Sequence, residues 1–363
     1  MLGTDAAYPR GKTAGLYPAL PTRSDEAYAE FVEDARNCLL HAQQHPIAEF
    51  SRQKMRDSKM SQTSDSESTN AAVEFLMQDP TIKTYYRIKR SLQESFWQCL
   101  YNAYDRERET LEAAIEAADD KGPGSVHYDP NFQVPEYATA HIHLQPGGYT
   151  GDPLAGYLYD YGLKVFAGGA ADNDVLAMMA AGAARPPADG KVARVLDLGA
   201  STGATTTALK TTHPDADVCG IDISAPMVRY AHLRAIEQDI DVHFKQMAAE
   251  QMEFPDEHFD IMLAVLLFHE VPVAIAKKII AEAFRVLRPG GTLTVLDFPG
   301  DRSNDAYTMF FVDMDAADNG EPFLPDYVRS NIEDLLVEAG FEVQDYNPAM
   351  ALATGRVAVK PAS

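Results

Sequence analysis

Apolar residues recur at helical spacing over residues 25–43, where Tyr28, Phe31, Val32, Ala35, Leu39 and Leu40 follow Ser24, a candidate N-cap. Residues 54–70 (KMRDSKMSQTSDSESTN) break that pattern. They are polar and serine-rich, with almost nothing to bury, and predict a mobile loop. A long helical stripe follows through Leu92, Phe96, Cys99, Leu100, Ala103, Leu111 and Ile115, and Gly122-Pro123-Gly124 closes it. Residues 141–174 are rich in Tyr and Gly and predict a connector rather than a plain helix. The run Arg185-Pro186-Pro187-Ala188-Asp189-Gly190 marks a boundary.

Beyond Gly190 the pattern changes to strands alternating with helices. Strand candidates are 193–199, 217–223, 242–247, 259–268, 291–298, 341–347 and 351–360. Ser224 with Pro226 opens one helix, and Arg288-Pro289-Gly290-Gly291 ends another. Ser330-Asn331-Ile332-Glu333 has the form of a capping box, and its helix stops at Gly340. Such alternation implies right-handed crossovers and a mostly parallel sheet covered on both faces. The turn Pro348-Ala349-Met350 is too short for a crossover, so the last strand should run antiparallel to its predecessor. The expected layout is a mainly helical part over 1–165, a connector or lid over 166–190, and a seven-stranded α/β domain over 191–363.

Composition narrows the function classes. Lys plus Arg is 31 and Asp plus Glu is 54, for a net charge of −23. A nucleic-acid ligand would call for a basic stripe, so none is expected. The longest apolar stretches, at 175–184 and 261–268, fall short of the roughly 20 residues of a membrane helix. The first residues lack an apolar secretory segment. Three widely spaced cysteines, Cys38, Cys99 and Cys219, fit a reducing compartment without structural zinc. A cytoplasmic protein that does not enter a membrane is expected.

Val195-Leu196-Asp197-Leu198-Gly199-Ala200-Ser201-Thr202-Gly203 is an apolar strand running into a small-residue turn. Small residues let a ligand approach the backbone. Asp222 ends the second strand, where a carboxylate can accept both hydroxyls of a ribose. Dinucleotide oxidoreductases share part of this pattern. Their G-x-G-x-x-G is absent here, since Gly199 and Gly203 are separated by three residues and Ser201 stands between them. Asp197 also aims a negative charge at the turn, which repels a pyrophosphate and suits an ammonium group.

From Lys191 to Pro361 the sequence resembles the class I S-adenosylmethionine-dependent methyltransferases. LDLGASTG and GIDIS match the first two family motifs. Residues 250–260 (EQMEFPDEHFD) match the approach to the fourth strand, and FRVLRPGG the turn before the fifth. The resemblance implies a Rossmann-like sheet with S-adenosylmethionine as cofactor. Asp197 and Gly199 would hold its methionine end, with Ala200, Ser201 and Gly203 lining the turn. Asp222 would bind the ribose, Ile223 and Met227 would face the adenine, and Ala248, Ala249 and Glu250 would meet its edge. Met227 reads equally as helix core. Two departures stand out: Ser201 replaces a usual glycine, and Ala248 stands where many members are acidic.

The acceptor is expected at the end of the fourth strand, in Leu266-Leu267-Phe268-His269-Glu270. His269 is the candidate general base, oriented by Glu270 if the strand has already ended; otherwise it lines the pocket or caps a helix. Tyr149, Tyr157, Tyr159 and Tyr161 form either a lid or a packed connector. Phe310, Phe311 and Glu321-Pro322-Phe323 are candidates for an apolar wall. The motifs of nucleic-acid amino- and C5-methylating enzymes are absent, which favours a small-molecule acceptor. His141-x-His143 has no third ligand at suitable spacing, so no metal is expected. The helical part would cap the site and could support a homodimer. Two alternatives remain open: a cofactor-binding protein that has lost catalysis, and a nucleotide-binding oxidoreductase.

Overall fold

The computed structural model describes residues 20–166, 174–298, 305–346 and 354–362. Its centre is a sheet whose strands are buried on both faces. Leu196, Met262 and Ala264 point into one core with Ile279 and Ile280, whereas Val195, Ile261 and Leu263 point into the other with Leu209 and Val228. This two-residue alternation between two apolar layers requires helices above and below.

The strands are β1 (Ser125–His127), β2 (Arg194–Leu198), β3 (Asp217–Asp222), β4 (His243–Gln246), β5 (Phe259–Val265), β6 (Leu287–Asp297), β7 (Glu342–Tyr346) and β8 (Thr354–Val359). Among the described residues their order is β1-β4-β3-β2-β5-β6-β8-β7. The pairs from β1 to β6 are parallel, and β8 runs antiparallel to both β6 and β7. The order reverses direction at β2, so the carboxyl ends of β2, β3 and β5 open a crevice. The seven expected strands are present with shifted ends, and the last runs antiparallel as expected; β6 starts early, at Leu287, so Arg288-Pro289-Gly290-Gly291 lies in that strand and the preceding helix has already ended at Val286. The eighth strand, β1, comes from the helical part and pairs with β4 from Ser125↔His243 to His127↔Lys245. Three residues are too few to show a period.

The helices that cover the sheet are α7 (Val175–Ala183), α8 (Ala204–Thr212), α9 (Ala225–Glu237), α10 (Val273–Val286), α11 (Ala306–Asn319), α12 (Leu324–Arg329) and α13 (Ile332–Glu338). Ser224 caps α9 as expected, accepting from Met227 N at 3.1 Å. The capping box before α13 does not form. Asn331 Oδ1 accepts from Glu333 N at 3.1 Å, while Ser330 Oγ donates back to Tyr327 O at 2.7 Å.

The amino-terminal part contains α1 (Arg23–Asn37), α2 (Gln44–Asp57), α3 (Ser66–Leu76), α4 (Pro80–Asp105), α5 (Arg108–Ala118) and α6 (Ala155–Phe166). Thr22 rather than Ser24 caps α1, accepting from Asp25 N at 3.2 Å. The serine-rich run is helix at both ends, contrary to expectation, and a loop only over 58–65, between α2 and α3. Met55, Ala72 and Leu76 bury into a cluster with Ile82, Tyr86 and Phe310. Asp65 also caps α3, accepting from Ser68 N at 2.9 Å. A few well-placed apolar residues and a cap suffice when a neighbouring surface is available. The Tyr- and Gly-rich segment likewise contains α6. Leu154, Tyr157, Leu158 and Tyr161 fall at i, i+3, i+4 and i+7 and are buried.

Both apolar clusters of this part are shared with the sheet half. Phe96, Trp97 and Tyr104 of α4 pack with Tyr157 and Tyr161 of α6 and with Tyr230 of α9. Tyr86 meets Phe310 of α11 edge-on, with ring centroids 5.7 Å apart. Phe310 therefore belongs to this interface and not to an acceptor wall. The expected turn at 348–350, the first 19 residues and part of the connector, 167–173, lie outside the described residues. No described helix is long and apolar enough to cross a membrane.

Candidate cofactor and acceptor site

The crevice at the ends of β2, β3 and β5 holds a cavity of about 240 Å³. Its first wall is the turn after β2. Gly199 (φ +73°) and Ser201 (φ +49°) adopt left-handed backbone, so a non-glycine residue sits in a conformation that favours glycine. Gly199 N and Ala200 N both donate to Ile221 O at 2.9 Å, which ties the turn to β3. Gly203 does not line the cavity, contrary to expectation. A Cβ there would lie 2.7 Å from the Ala231 methyl and 2.8 Å from the Phe244 ring, so this glycine lets α8 pack against α9 and β4.

Two acidic groups face the turn. Asp222 accepts from Ser201 N and from Ser224 N, each at 2.9 Å. Burial pushes its carboxyl up to about 6, against the pull of those amides. Asp197 accepts from Thr206 Oγ1 at 2.6 Å. Burial, and then the nearby Asp222 charge, raise it to about 7 despite that hydroxyl. Ile223, Met227, Ala249 and Glu250 also line the cavity, and Ala248 does not. Tyr137, which the sequence reading missed, donates its hydroxyl to Glu250 Oε1 at 2.7 Å. Glu250 Oε2 is buried with no hydrogen-bond partner among the described residues.

The opposite end is built by the amino-terminal part and the end of β5. Tyr149 and Tyr159 line the cavity, with ring centroids 5.0 Å apart. Tyr157 and Tyr161 do not. They occupy the other face of α6, where the Tyr157 ring lies 4.6 Å from Tyr230 and the Tyr161 hydroxyl donates to Glu26 at 3.2 Å. Helical phase thus divides the expected lid into two lining and two packing residues. Ser224 Oγ, already an N-cap, donates to Tyr149 O at 2.5 Å and fastens this end to α9.

β5 stops at Val265, and a single turn carries Phe268, His269 and Glu270. Glu270 lines the cavity and accepts from the Tyr149 hydroxyl at 3.1 Å. Phe268 packs in the sheet core instead. His269 is 2% exposed and is not on the cavity wall. The strand has ended, but Asp297 rather than Glu270 holds the ring. His269 Nδ1 donates to Asp297 Oδ1 at 2.7 Å, whereas Nε2 stands 4.0 Å from Glu270. Burial pushes this imidazole down, and the Asp297 carboxylate outweighs it, lifting it to about 9. At neutral pH His269 is charged and has no free lone pair for a proton, which removes it from the role of general base.

His143, flagged only as half of a metal pair, joins this end. Its backbone carbonyl accepts from Gln93 Nε2 at 2.9 Å and from Trp97 Nε1 at 2.5 Å, so α4 positions it. The ring stacks on Tyr159 and reaches Glu321 at 2.6 Å and Glu270 at 3.5 Å. Burial disfavours its charge, but those two carboxylates raise it to about 10. Glu321 therefore brings a carboxylate to this end, where the sequence suggested an apolar wall. No local pattern reveals that His143 meets Glu321, because 178 residues of sequence separate them.

Known proteins resemble the stretch of chain that carries this turn. A family described as "Methyltransferase domain" matches residues 195–291. The chain is 30% identical over 173 residues to the ubiquinone/menaquinone biosynthesis C-methyltransferase UbiE of Pseudomonas aeruginosa, covering 42% of this chain and 67% of that one. The chain belongs to the class I S-adenosylmethionine-dependent methyltransferases. Membership in that family removes the oxidoreductase reading. The chain is also 38% identical over 106 residues to the demethylmenaquinone methyltransferase of Thermus thermophilus, covering 29% of this chain and 47% of that one. It thus spans about half the length of the Thermus relative. The human N-acetylserotonin methyltransferase in complex with S-adenosylmethionine superposes with a TM-score of 0.41 at 16% identity, covering 58% of this chain and 57% of that chain.

Proposed function

We propose that this chain binds S-adenosylmethionine in the cavity and methylates a small molecule seated against Tyr149, Tyr159 and Glu270. The observation that carries this reading is the shared cavity. One end presents Asp197, Asp222 and the Gly199–Ser201 turn, and the other presents two phenols and a carboxylate.

The residues fit such a cofactor. Glu250 Oε2 is a buried acceptor awaiting a donor, which an adenine amino group supplies. Each Asp222 oxygen takes one amide and keeps a lone pair for a ribose hydroxyl. Asp197 faces the ligand ammonium. When bound, the cofactor supplies a methyl group on a positively charged sulfur. The chain's own work is to align the acceptor and keep water out. Tyr149 and Tyr159, buried phenols whose ionisation burial opposes, close the wall and offer hydroxyls to the acceptor. Glu270 is the carboxylate placed to hold an acceptor's O–H or N–H. The free thiols Cys38, Cys99 and Cys219 support a cytoplasmic setting.

Titration calorimetry with S-adenosylmethionine tests the reading. Asp222→Ala should weaken binding by at least tenfold, since hydrogen bonds to a charged group contribute about 1.5–3 kcal/mol each. Equal affinity in the variant would end the assignment.

A further inference from the structure

We propose that His269, Glu270 and Glu321 form a binding site for one divalent first-row transition-metal ion behind the acceptor end of the cavity. One donor atom from each residue lies within 4.8 Å of the others. Bonds of about 2.0–2.2 Å to a common ion put donors roughly 3–4.4 Å apart, so only a small contraction is needed. The 4.0 Å between His269 Nε2 and Glu270 Oε1 is already inside that range.

Three further features point to a ligand. His269 Nδ1 donates to Asp297 Oδ1 at 2.7 Å, which fixes the ring and leaves Nε2 toward the carboxylates. A carboxylate behind a ligating imidazole is the usual second partner in metal sites. Glu321 is 5% exposed, and its Oε2 has no hydrogen-bond partner among the described residues. His143 touches Glu321 at 2.6 Å and Glu270 at 3.5 Å, and so holds the two carboxylates in register. In the absence of an ion, the charged His143 ring balances part of the negative charge of these two carboxylates. One imidazole and two carboxylates, with no thiolate, favour an ion of the zinc or manganese kind over a soft one. The ligating nitrogen must be neutral, so the ion takes the place of the Nε2 proton.

The placement gives such an ion a job. His269 and Glu270 sit on the turn after β5, and Glu321 follows α11. The ion would clip the residues after α11, the helix that packs against Tyr86 of α4 through Phe310, to the turn after β5 beside the cavity. Calling that end the acceptor end rests on the proposed function; the binding of the ion does not.

The test uses the full chain, stripped of metal with a chelator and free of S-adenosylmethionine. Zinc is titrated by calorimetry, cobalt(II) by visible absorption, and thermal unfolding is followed with and without zinc. The expected result is one equivalent per chain, cobalt bands of a nitrogen- and oxygen-ligated ion, and a melting point raised by several degrees. Glu321→Gln, nearly isosteric, should lose at least tenfold in zinc affinity and show no rise in melting point, with cofactor binding within twofold of the parent. His269→Asn should lose the cobalt bands. No stoichiometric uptake, or equal affinity in Glu321→Gln, overturns the site. A chain that binds zinc but not S-adenosylmethionine would instead overturn the proposed function.

Discussion

The two ends of the cavity are made in different ways. The proposed cofactor end comes from neighbours in sequence: Asp197, Gly199 and Ser201 lie within five residues, and Asp222 is the next strand's last residue. The proposed acceptor end gathers His143, Tyr149 and Tyr159 from one half of the chain and Glu270, Glu321 and Asp297 from the other. The first needs only a strand, a turn and a parallel neighbour. The second exists only once the helical part has docked on α9 and α11.

The largest expected effect strikes that docking. Trp97 is 1% exposed and holds the His143 carbonyl. Trp97→Ala should cost about 3–5 kcal/mol. Because its cluster includes Tyr230, the loss should appear as one cooperative urea transition for the whole chain. Two separated transitions would show that the halves fold independently and would break the comparison.

Gly203→Val is the counterpart at the cofactor end. Its side chain would meet Ala231 and Phe244 from a backbone with φ +78°. A loss of about 2–4 kcal/mol is expected in the same denaturation experiment. An unchanged midpoint would mean that the packing of α8 on α9 is loose.

A smaller effect separates the ends by pH. Asp222 and Asp197 are raised to about 6 and 7. Both are raised above their unfolded value of 3.8, so the ligand-free fold is favoured at low pH and loses stability as pH rises from about 4 to about 7. Binding of a cation runs the other way, since it needs the ionised carboxylates. Affinity for S-adenosylmethionine should rise about tenfold or more from pH 5.5 to 7.5. Asp197→Asn should flatten the upper part of that rise. A profile flat in the parent chain would show that neither carboxylate meets the ligand's charge.

Ser201→Gly should have the smallest effect. Relieving left-handed backbone at φ +49° should stabilise the chain by about 1 kcal/mol while leaving the Asp222 contact in place. A loss of stability would indicate that the Ser201 side chain makes a contact worth more than the strain.

How much could be read in advance follows the same division. The placement of residues 195–201 and Asp222 was legible because one strand, one tight turn and one strand end set it locally, whereas Gly203 serves the packing of α8. Glu270 was legible by position, as the first carboxylate after β5. His269 was legible by position but not in its role, since Asp297 lies a full strand and helix away and decides the ring's charge. The tyrosines show how a pattern can be seen and misassigned. Tyr157, Tyr159 and Tyr161 alternate as if on a strand, yet α6 turns the middle one toward the cavity and the outer two into Tyr230 and Glu26. The stretch 54–70 was misread because composition ignores the surface it lands on, and Met55 with Ala72 was enough to hold it.

The insertion of β8 between β6 and β7 bears on the order in which the chain can be assembled. β7 has β8 as its sheet neighbour, and β8 is made later. A nascent chain can therefore complete the sheet through β6 as it leaves the ribosome, but β7 has to wait at the edge for residues not yet synthesised. A stop shortly before Thr354 would cost two strands rather than one, and would leave the long apolar edge of β6 open to pairing with another molecule.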